Sequence, residues 1–350
     1  MKKPYIYIYP AKLREDQITL SSNPYIKNLH KALSKEFIVI NEKPASRLGQ
    51  LFDVYKYIFK DIDFIYFNWI ERIGGGRFAS IQYIIYRVLI LIIKLKKTKI
   101  IYLLHNKLPR DNNRLSKKIM IDIIKKADFL IAHSEEGLEI LKNINDQVPC
   151  IFLPHPMELK IQNTSDINKE FDILIWGSIH SYKGVDKFLD VFIKSKLHNR
   201  IKIKIAGEIS GLDLTKKIES YSNSKIIIEN WIHTDDEIEE LIQKARIVLF
   251  TYLDGSVLSS GALVKTLEIG GVVLGPKIGS FKDLSKFEIV HVYEDFYDLI
   301  SKIDFLVSKH NIKVGNSNIE KFANSNTWEN YGNKIKAVVK NSNTLTNPVQ

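Results

Sequence analysis

The chain has 350 residues, of which 45% are apolar and 26% are charged, with 17 Gly and 10 Pro. This composition is typical of a folded globular protein and excludes disordered and collagen-like chains. The length indicates two domains of ordinary size. Cys150 is the only cysteine, which excludes an internal disulfide and favours a reducing compartment.

The formal net charge of +11 is concentrated in the first part of the chain. Residues 1–160 contain 27 Lys and Arg against 16 Asp and Glu, whereas residues 161–350 contain 24 of each class. A basic half beside a neutral half predicts that one domain meets an anionic surface, either nucleic acid or acidic membrane.

No segment of the chain has the features of a membrane-crossing helix. Met1–Pro10 is too short in its apolar core and too rich in tyrosine for a signal peptide, and it predicts a buried strand. The longest apolar stretch, Phe78–Ile93, is interrupted by Gln82 and Arg87 and falls short of the roughly 20 residues that span a bilayer. We therefore expect a cytoplasmic protein without a transmembrane helix.

Short apolar runs alternate with longer amphipathic segments along the chain, which predicts an α/β fold of βα units around parallel sheets. The predicted strands are Tyr5–Tyr9, Phe37–Ile40, Phe64–Phe67, Lys99–Leu104, Phe129–His133, Cys150–Leu153, Phe171–Trp176, Lys202–Ala206, Lys225–Ile228, Ile247–Thr251, Gly271–Leu274 and Ile289–Val292. The predicted helices include Tyr25–Ser34, Ala79–Leu95, Ser116–Lys126, Val185–Lys194 and Asp235–Lys244.

The segment Asn145–Ser165 contains three prolines and a polar run, which is typical of a domain crossing. We therefore predict a Rossmann-like domain over 1–160, a second Rossmann-like domain over 161–325, and a C-terminal helix and tail over 326–350. Two doubly wound domains imply a ligand cleft that faces the carboxyl ends of their strands.

Two segments of the second half have the pattern of a phosphate site. Trp176–Gly184 places a strand end, a glycine turn and Lys183 before a helix, and Ser259–Ala262 presents hydroxyls and backbone N–H groups at a helix entry. The alternatives are a surface lysine at an ordinary turn and a simple helix N-cap.

His105 follows a predicted strand of the first half directly, where side chains reach a cleft. A histidine there can hydrogen-bond a sugar or phosphate, or transfer a proton; a structural histidine is the alternative. The histidines are dispersed and only one cysteine exists, so no metal-ligand spacing is present.

Several segments in order carry a family resemblance, namely Asn23-Pro24-Tyr25, Asp63–Glu71, His105-Asn106 with Pro109, Ala132-His133-Ser134, Trp176–Gly184, Ala206–Glu208 and Ser259–Gly279. Together they resemble the bacterial family 4-type glycosyltransferases of the GT-B fold, which act in capsule, exopolysaccharide and O-antigen assembly. The similarity extends over most of the chain.

The resemblance implies transfer of a sugar from a UDP- or GDP-linked donor to a glycan acceptor carried on polyprenyl diphosphate, with retention of configuration and without a metal or other cofactor. By family position His105 would be the catalytic residue. The residues implied on the acceptor and membrane side are Asn23, Trp69, Asn106 and Arg110. Those implied to bind the donor are Gly177, Ser178, Lys183, Ser259, Ser260, Gly261, Ala262, Lys265 and Glu268.

The sequence departs from the family pattern in two places. Val257 and Lys265 stand at the positions of the family's E-x7-E pair, with Asp254 and Glu268 as the nearest acids, and Ser178 replaces an arginine. A catalytically weakened homologue and a GT-B nucleotide-sugar epimerase therefore stay open as alternatives. A basic nucleic-acid-binding protein is the alternative of another class, although the chain lacks RNP-like and helix-turn-helix patterns, and we expect no nucleic-acid partner.

Within the first half, the window from Arg87 to Lys118 contains ten basic residues against Asp111 alone. We expect Tyr83, Tyr86 and Leu89 to rest at a lipid headgroup boundary while Lys94–Lys97 meet anionic lipid. The alternative is a helix packed on the sheet whose basic end is solvated. The expected location is peripheral, on the inner face of the plasma membrane.

Overall fold

The chain, described by a computed structural model over residues 3–12, 24–43, 54–57, 59–75, 78–109, 113–160, 168–253, 255, 257–309 and 316–345, forms two compact units. The first unit consists of Met1–Pro154 together with Asn326–Gln350, and the second consists of His155–Ser325. The C-terminal segment thus returns to the unit in which the chain begins.

The first unit is built on a parallel six-stranded sheet. Its strands are β1 (Tyr5–Tyr9), β2 (Ile38–Val39), β3 (Phe64–Asn68), β4 (Lys99–Leu104), β5 (Phe129–Ala132) and β6 (Cys150–Phe152). The spatial order is β2-β1-β3-β4-β5-β6, and every neighbouring pair is parallel. The helices are α1 (Tyr25–Ser34), α2 (Ala79–Leu95), α3 (Arg114–Lys126), α4 (Glu135–Ile144) and, from the C-terminal segment, α12 (Trp328–Leu345).

The second unit contains another parallel six-stranded sheet. Its strands are β7 (Phe171–Trp176), β8 (Ile203–Ala206), β9 (Ile226–Glu229), β10 (Ala245–Leu249), β11 (Val273–Pro276) and β12 (His291–Tyr293), in the order β12-β11-β10-β7-β8-β9. The helices are α5 (Val185–Phe192), α6 (Leu212–Glu219), α7 (Asp235–Lys244), α8 (Gly261–Glu268), α9 (Gly279–Ser285), α10 (Phe296–Ser308) and α11 (Asn316–Ser325).

All of these strands overlap the strands that the sequence predicts, because strands covered on both faces are continuous apolar runs. The observed strand boundaries differ from the predicted ones where backbone hydrogen bonding, and not the extent of the apolar run, determines the first or last residue. The predicted strand Ile247–Thr251 is β10, which begins at Ala245 because Ala245 is paired with Phe171 of β7. Local capping fixes several helix starts; at α7 the Thr234 side chain accepts from the Glu237 backbone, and the Glu237 carboxylate accepts from the Thr234 backbone.

Each sheet has one point where successive connections leave in opposite directions along the strand order. That point lies between β1 and β3 in the first unit and between β7 and β10 in the second. In open parallel sheets, ligands bind outside the carboxyl ends of the strands at such a switch point. The carboxyl ends of β1 and β3, with β4 next to β3, therefore border the expected ligand position in the first unit, and those of β7 and β10 border it in the second.

Helix α2 corrects one expectation from the sequence. Tyr86 and Leu89 were expected at a lipid boundary, but both are fully buried on the inner face of the helix. The Tyr86 hydroxyl donates to Asp122 of α3 at 2.9 Å. The face directed to solvent carries other large apolar side chains, because packing against the sheet selects which side of this almost entirely apolar helix is buried. None of the described helices meets the length and hydropathy that a bilayer-spanning segment requires.

We expect His30 of α1 to make the first unit sensitive to acid. The ring is buried, neither ring nitrogen has a hydrogen-bond partner among the described residues, and burial together with the charge of Lys12 lowers its pKa to about 3. The folded state therefore binds fewer protons than the unfolded chain between about pH 6.5 and pH 3. This residue should therefore lower the free energy of unfolding by about 1.4 kcal/mol for each pH unit between about pH 6 and pH 3.

Urea denaturation at successive pH values measures this slope. A His30→Leu variant should flatten it, because leucine cannot take up a proton in the unfolded state. Leu33→Ala on the same helix is the control: it removes buried packing without removing a titratable group, so it should leave the slope as in the wild type. An unchanged slope in His30→Leu would contradict the assignment.

Candidate functional site

In the first unit, polar and aromatic side chains gather beyond the carboxyl ends of β3 and β4. The Asn68 side-chain N–H donates to the Tyr9 carbonyl at 3.1 Å, which turns its amide oxygen toward His105. His105 Nε2 lies 3.1 Å from that oxygen. Since an amide oxygen only accepts, the proton of neutral His105 is on Nε2, and Nδ1 is the acceptor nitrogen.

The His105 ring is held between aromatic neighbours. Trp69 stacks on it with ring centroids 4.1 Å apart and an angle of 19° between the planes, and Tyr25 meets it edge-on at 5.1 Å. Trp69 adopts a left-handed backbone with φ of 50°, which is uncommon for a bulky residue, and the Arg72 guanidinium lies 4.9 Å from its ring. These contacts leave His105 little freedom to rotate.

His133, at the end of the predicted strand Phe129–His133, has a structural environment. Its Nδ1 donates to the Leu153 carbonyl at 2.7 Å, and its Nε2 accepts from the Tyr25 hydroxyl at 2.9 Å. The neighbouring Ser134 accepts from the Gly137 backbone and caps α4. Both residues of the predicted "HS" strand end therefore hold the fold of the first unit together.

A buried tyrosine network extends from this point to the C-terminal helix. The Tyr66 and Tyr331 hydroxyls are 2.7 Å apart, and Tyr331 is 3.5 Å from the Tyr25 hydroxyl. Burial raises the pKa of Tyr25 and Tyr66 well above the ordinary tyrosine value and that of Tyr331 to about 12, so all three stay protonated near neutral pH. No local sequence pattern predicts the role of Tyr331, because it lies 306 positions after Tyr25 in the chain.

Of the predicted acceptor-side residues, Trp69 contacts His105 and Asn106 follows His105 in a half-buried position. Asn23 and Arg110 lie outside the described residues. Asn68 lies within the segment Asp63–Glu71 but is not among the residues predicted to be functional. Its position as the last residue of β3, next to Trp69, is the signal that would have identified it.

In the second unit, the loop after β7 is shaped by glycines. Gly177 has φ of 86°, and a Cβ on Gly207 would lie 2.4 Å from the Gly177 carbonyl oxygen, so the loops after β7 and β8 approach each other closely. A Cβ on Gly184, at φ 65°, would lie 2.7 Å from the Thr251 carbonyl oxygen. The predicted donor residue Ser178 is exposed in this loop.

Lys183 lies at the switch point between β7 and β10. Its Nζ is 3.5 Å from the place that a Cβ on Gly177 would take and 5.8 Å from the centre of the Tyr252 ring. The Thr251 hydroxyl donates to the Lys183 carbonyl at 2.6 Å, and the Leu253 backbone donates to the Tyr182 carbonyl at 3.1 Å. The lysine backbone is thereby tied to the strand end across the switch point.

The entry of α8 is connected to the same place by Tyr252, whose hydroxyl is 3.2 Å from the Ser260 hydroxyl. Ser260 caps the helix by accepting from the Leu263 backbone at 3.3 Å. Gly261 is exposed and has open space where a Cβ would stand, and the Ser259 hydroxyl has no partner among the described residues. The first N–H groups of a helix have no partner within it, so Gly261 and Ala262 present donors suited to an anion.

Two predicted donor residues lie elsewhere on α8. The Lys265 ammonium pairs with Asp235 at the start of α7. Glu268 lies about 12 Å along the axis from Ser260, at the rise of a regular helix, and its carboxylate accepts from the Glu158 backbone at 2.8 Å. Burial raises the pKa of Glu268. The structure thus brings Lys183, Gly177 and Ser260 together and leaves Glu268 at the far end of the helix.

Within the part of the chain that the structure describes, no group of three or more His, Cys, Asp or Glu side chains is arranged to hold a metal ion. Lys183 and the N-terminal end of α8 both contribute positive potential at the second unit's switch point.

No protein-family model and no curated protein matches the sequence. Solved structures do match the fold. The Anabaena protein HepE in complex with UDP has a TM-score of 0.70 at 12% identity, covering 97% of this chain and 100% of its own. The same protein in complex with UDP-glucose has a TM-score of 0.67 at 12% identity, covering 97% of this chain and 99% of its own.

Two other proteins give similar values. AviGT4, a glycosyltransferase involved in avilamycin A biosynthesis, has a TM-score of 0.61 at 13% identity, covering 98% of each chain. Sucrose-phosphate synthase from Thermosynechococcus elongatus has a TM-score of 0.66 at 10% identity, covering 99% of this chain and 100% of its own. The predicted fold is confirmed: the chain has two Rossmann-like α/β units of the GT-B type.

We expect His105 and His133 to occupy opposite neutral tautomers. The hydrogen-bond partners place the proton of His105 on Nε2 and that of His133 on Nδ1. Long-range ¹H–¹⁵N correlation spectra at neutral pH distinguish the two forms, and Asn68→Asp serves as the comparison because a carboxylate also accepts from Nε2. Detection of His105 with its proton on Nδ1 would contradict the geometry.

Proposed function

We propose that the protein is a glycosyltransferase that uses a nucleoside-diphosphate sugar as donor. The observation that carries this proposal is the placement of Lys183 Nζ, the Gly177 turn and the Ser260-capped helix entry around one switch point. A lysine ammonium and unpaired helix N–H groups favour a diphosphate, because both direct positive potential at its oxygens.

The neighbouring folds support a nucleotide of this class. HepE was solved with UDP and with UDP-glucose, and its chain aligns with this one over nearly its whole length. At 12% identity, this similarity establishes a shared fold and nothing more. The donor class is our proposal, supported by the fold similarity and by the geometry at the switch point.

The proposed reaction moves a sugar from phosphate to an acceptor hydroxyl. The bond between the anomeric carbon and the diphosphate oxygen breaks, and the nucleoside diphosphate leaves with the electron pair. A bond forms between the anomeric carbon and the acceptor oxygen, whose proton balances the charge on the leaving group. Lys183 and the α8 entry would stabilise the charge that develops on the diphosphate, the role that a divalent cation has in other transferases.

We propose that His105 contacts the sugar that is transferred. The Nε2–H of this residue donates to Asn68, so its other nitrogen is an acceptor that can receive a hydrogen bond from a sugar hydroxyl. Stacking by Trp69 keeps the ring in one orientation, which is the preorganisation that a transition-state contact requires.

We further propose a lipid-linked glycan as acceptor, retention of anomeric configuration, a metal-independent reaction and a role in polysaccharide assembly. The first two follow from the family resemblance, and metal independence follows from the resemblance together with the cationic groups of the donor site. The basic first part of the chain supports a substrate at an anionic membrane surface.

Replacing Lys183 with Ala should weaken UDP binding by roughly 10- to 100-fold, the range expected for one lost charge-assisted hydrogen bond. Isothermal titration with UDP measures this change. Lys187→Ala is the matched control, since that residue is exposed one turn further along and has no place in the proposed site. UDP affinity within threefold of the wild type in Lys183→Ala would argue against the donor site.

Replacing His105 with Ala should lower turnover by roughly 100-fold or more while leaving UDP affinity within about threefold, because its contact is made to the sugar. Sugar transfer from a UDP- and GDP-sugar panel to a lipid-linked acceptor measures turnover, and thermal melting verifies the fold. Loss of nucleotide affinity with unchanged turnover would refute the assignment. Absence of transfer by the wild type together with absence of nucleotide binding would refute the proposed function.

A further inference from the structure

Helix α2 is apolar on two opposite faces. Its inner face, with Tyr86, Leu89, Ile90 and Ile93, is buried in the first unit. Its outer face carries a second row of large apolar side chains, which the described residues of the unit leave largely exposed. We call this row the outer stripe: Phe78, Ile81, Ile84, Val88, Leu91 and Leu95, which are 46% to 73% exposed.

The outer stripe forms one continuous surface. At 100° per residue, the positions from Ile81 to Leu95 fall within an arc of about 80° around the helix, and the 17 residues of α2 extend for about 25 Å. Scattered exposed apolar residues are normal on a protein surface, but a contiguous row of this length marks an interaction site.

Basic side chains lie along one flank of the stripe. Arg87, Lys94 and, from α3, Lys126 line a hollow of about 370 Å³ together with Val88 and Leu91 of the stripe. These cations have local partners: the Arg87 guanidinium donates to Tyr83, and Lys94 and Lys126 pair with carboxylates of α3 and of the segment before β5.

The cations outnumber these carboxylates. Asp122 and Asp128 are the two acids of the flank, and Lys94, Lys99 and Lys126 pair with them. Arg87 and Lys118 add two more positive charges beside Tyr83. The flank therefore keeps a net positive charge, and the ion pairs are partly exposed, where they contribute little and exchange readily for another anion.

We propose that the outer stripe and its basic flank form a docking surface for an anionic lipid bilayer, with the hollow receiving a lipid phosphate. Apolar side chains in a stripe enter the headgroup boundary while adjacent Lys and Arg bind anionic headgroups, which is the arrangement of an interfacial helix. This inference rests on the membrane-associated part of the proposed function and identifies the surface responsible for it.

The charge pattern favours lipid over a second copy of the chain. Helix α2 contains no Asp or Glu between Ala79 and Leu95, and the two acids beside it, Asp122 and Asp128, already pair with lysines of the flank, so the face offers few carboxylates to the cations of another copy. A bilayer supplies both an apolar phase and phosphates in one surface, which matches the stripe and the flank together.

Vesicle flotation with the full chain tests the surface. Phosphatidylcholine vesicles with about 30% phosphatidylglycerol should retain the wild type at about 0.05 M salt and release most of it at about 0.5 M, because salt screens the flank. Arg87→Ser/Lys94→Ser and Ile84→Gln/Leu91→Gln should each lower the partition coefficient by roughly tenfold or more.

Matched controls lie in the second unit. Lys196→Ser/Lys216→Ser removes two exposed cations, and Tyr297→Gln/Phe305→Gln removes two exposed large apolar side chains. Both should bind vesicles within about twofold of the wild type if the outer stripe carries the interaction. Wild-type retention by the Arg87/Lys94 and Ile84/Leu91 variants would overturn the proposal. A dimer in light scattering that the Ile84/Leu91 variant abolishes, without vesicle binding by the wild type, would assign the face to a second copy.

Failure of the docking surface and failure of the proposed function can be told apart by experiment. UDP titration of the same wild-type sample reports on the donor site, which lies in the other unit and needs no lipid. Vesicle binding without nucleotide binding would retain the docking surface and refute the transferase, and the reverse result would do the opposite.

Discussion

Hydrogen bonding of β7 to β10 brings the carboxyl ends of two strands to one edge of the second sheet, while the helices that follow them pack on opposite faces. Val185 and Phe188 of α5 belong to one core cluster, and Leu263 and Leu267 of α8 belong to the other. At the opening between these connections, Lys183 and Ser260 of the α8 entry both lie beside Tyr252. Without the pairing of β7 with β10, the Lys183 ammonium and the backbone N–H donors of the α8 entry would not face the same ligand position.

In the first unit, side-chain hydrogen bonds position the polar groups at the carboxyl ends of the strands. Its switch point lies between β1 and β3, and Asn68 joins the two by donating to Tyr9 while it orients His105. The Tyr25 hydroxyl and the C-terminal Tyr331 then connect His133 to the helices that cover the sheet. Asn68 thereby links the ends of β1 and β3 and sets the tautomer of His105, the candidate catalytic histidine.

Helix α2 is apolar both on the face that packs in the first unit and on the face that is exposed. Its inner face anchors the helix to the sheet, and the outer stripe remains available to an apolar phase outside the protein. A helix that is apolar on all sides is ordinarily buried in a core. The basic flank around Arg87 and Lys94 makes the exposed side cationic as well as apolar, which distinguishes it from a purely apolar face that promotes aggregation.

The sequence by itself determined the two parallel sheets, because strands buried on both faces are continuous apolar runs. It also determined the segments that carry Lys183, Ser260 and His105, since glycine turns, N-caps and strand ends are local patterns. Only the tertiary structure decided that Glu268 binds the Glu158 backbone, that Tyr331 reaches Tyr25, and that Tyr86 and Leu89 are the inner side of α2. The physical reason is that contacts between distant segments, and the choice of buried face on an apolar helix, depend on how elements pack and leave no mark in local periodicity.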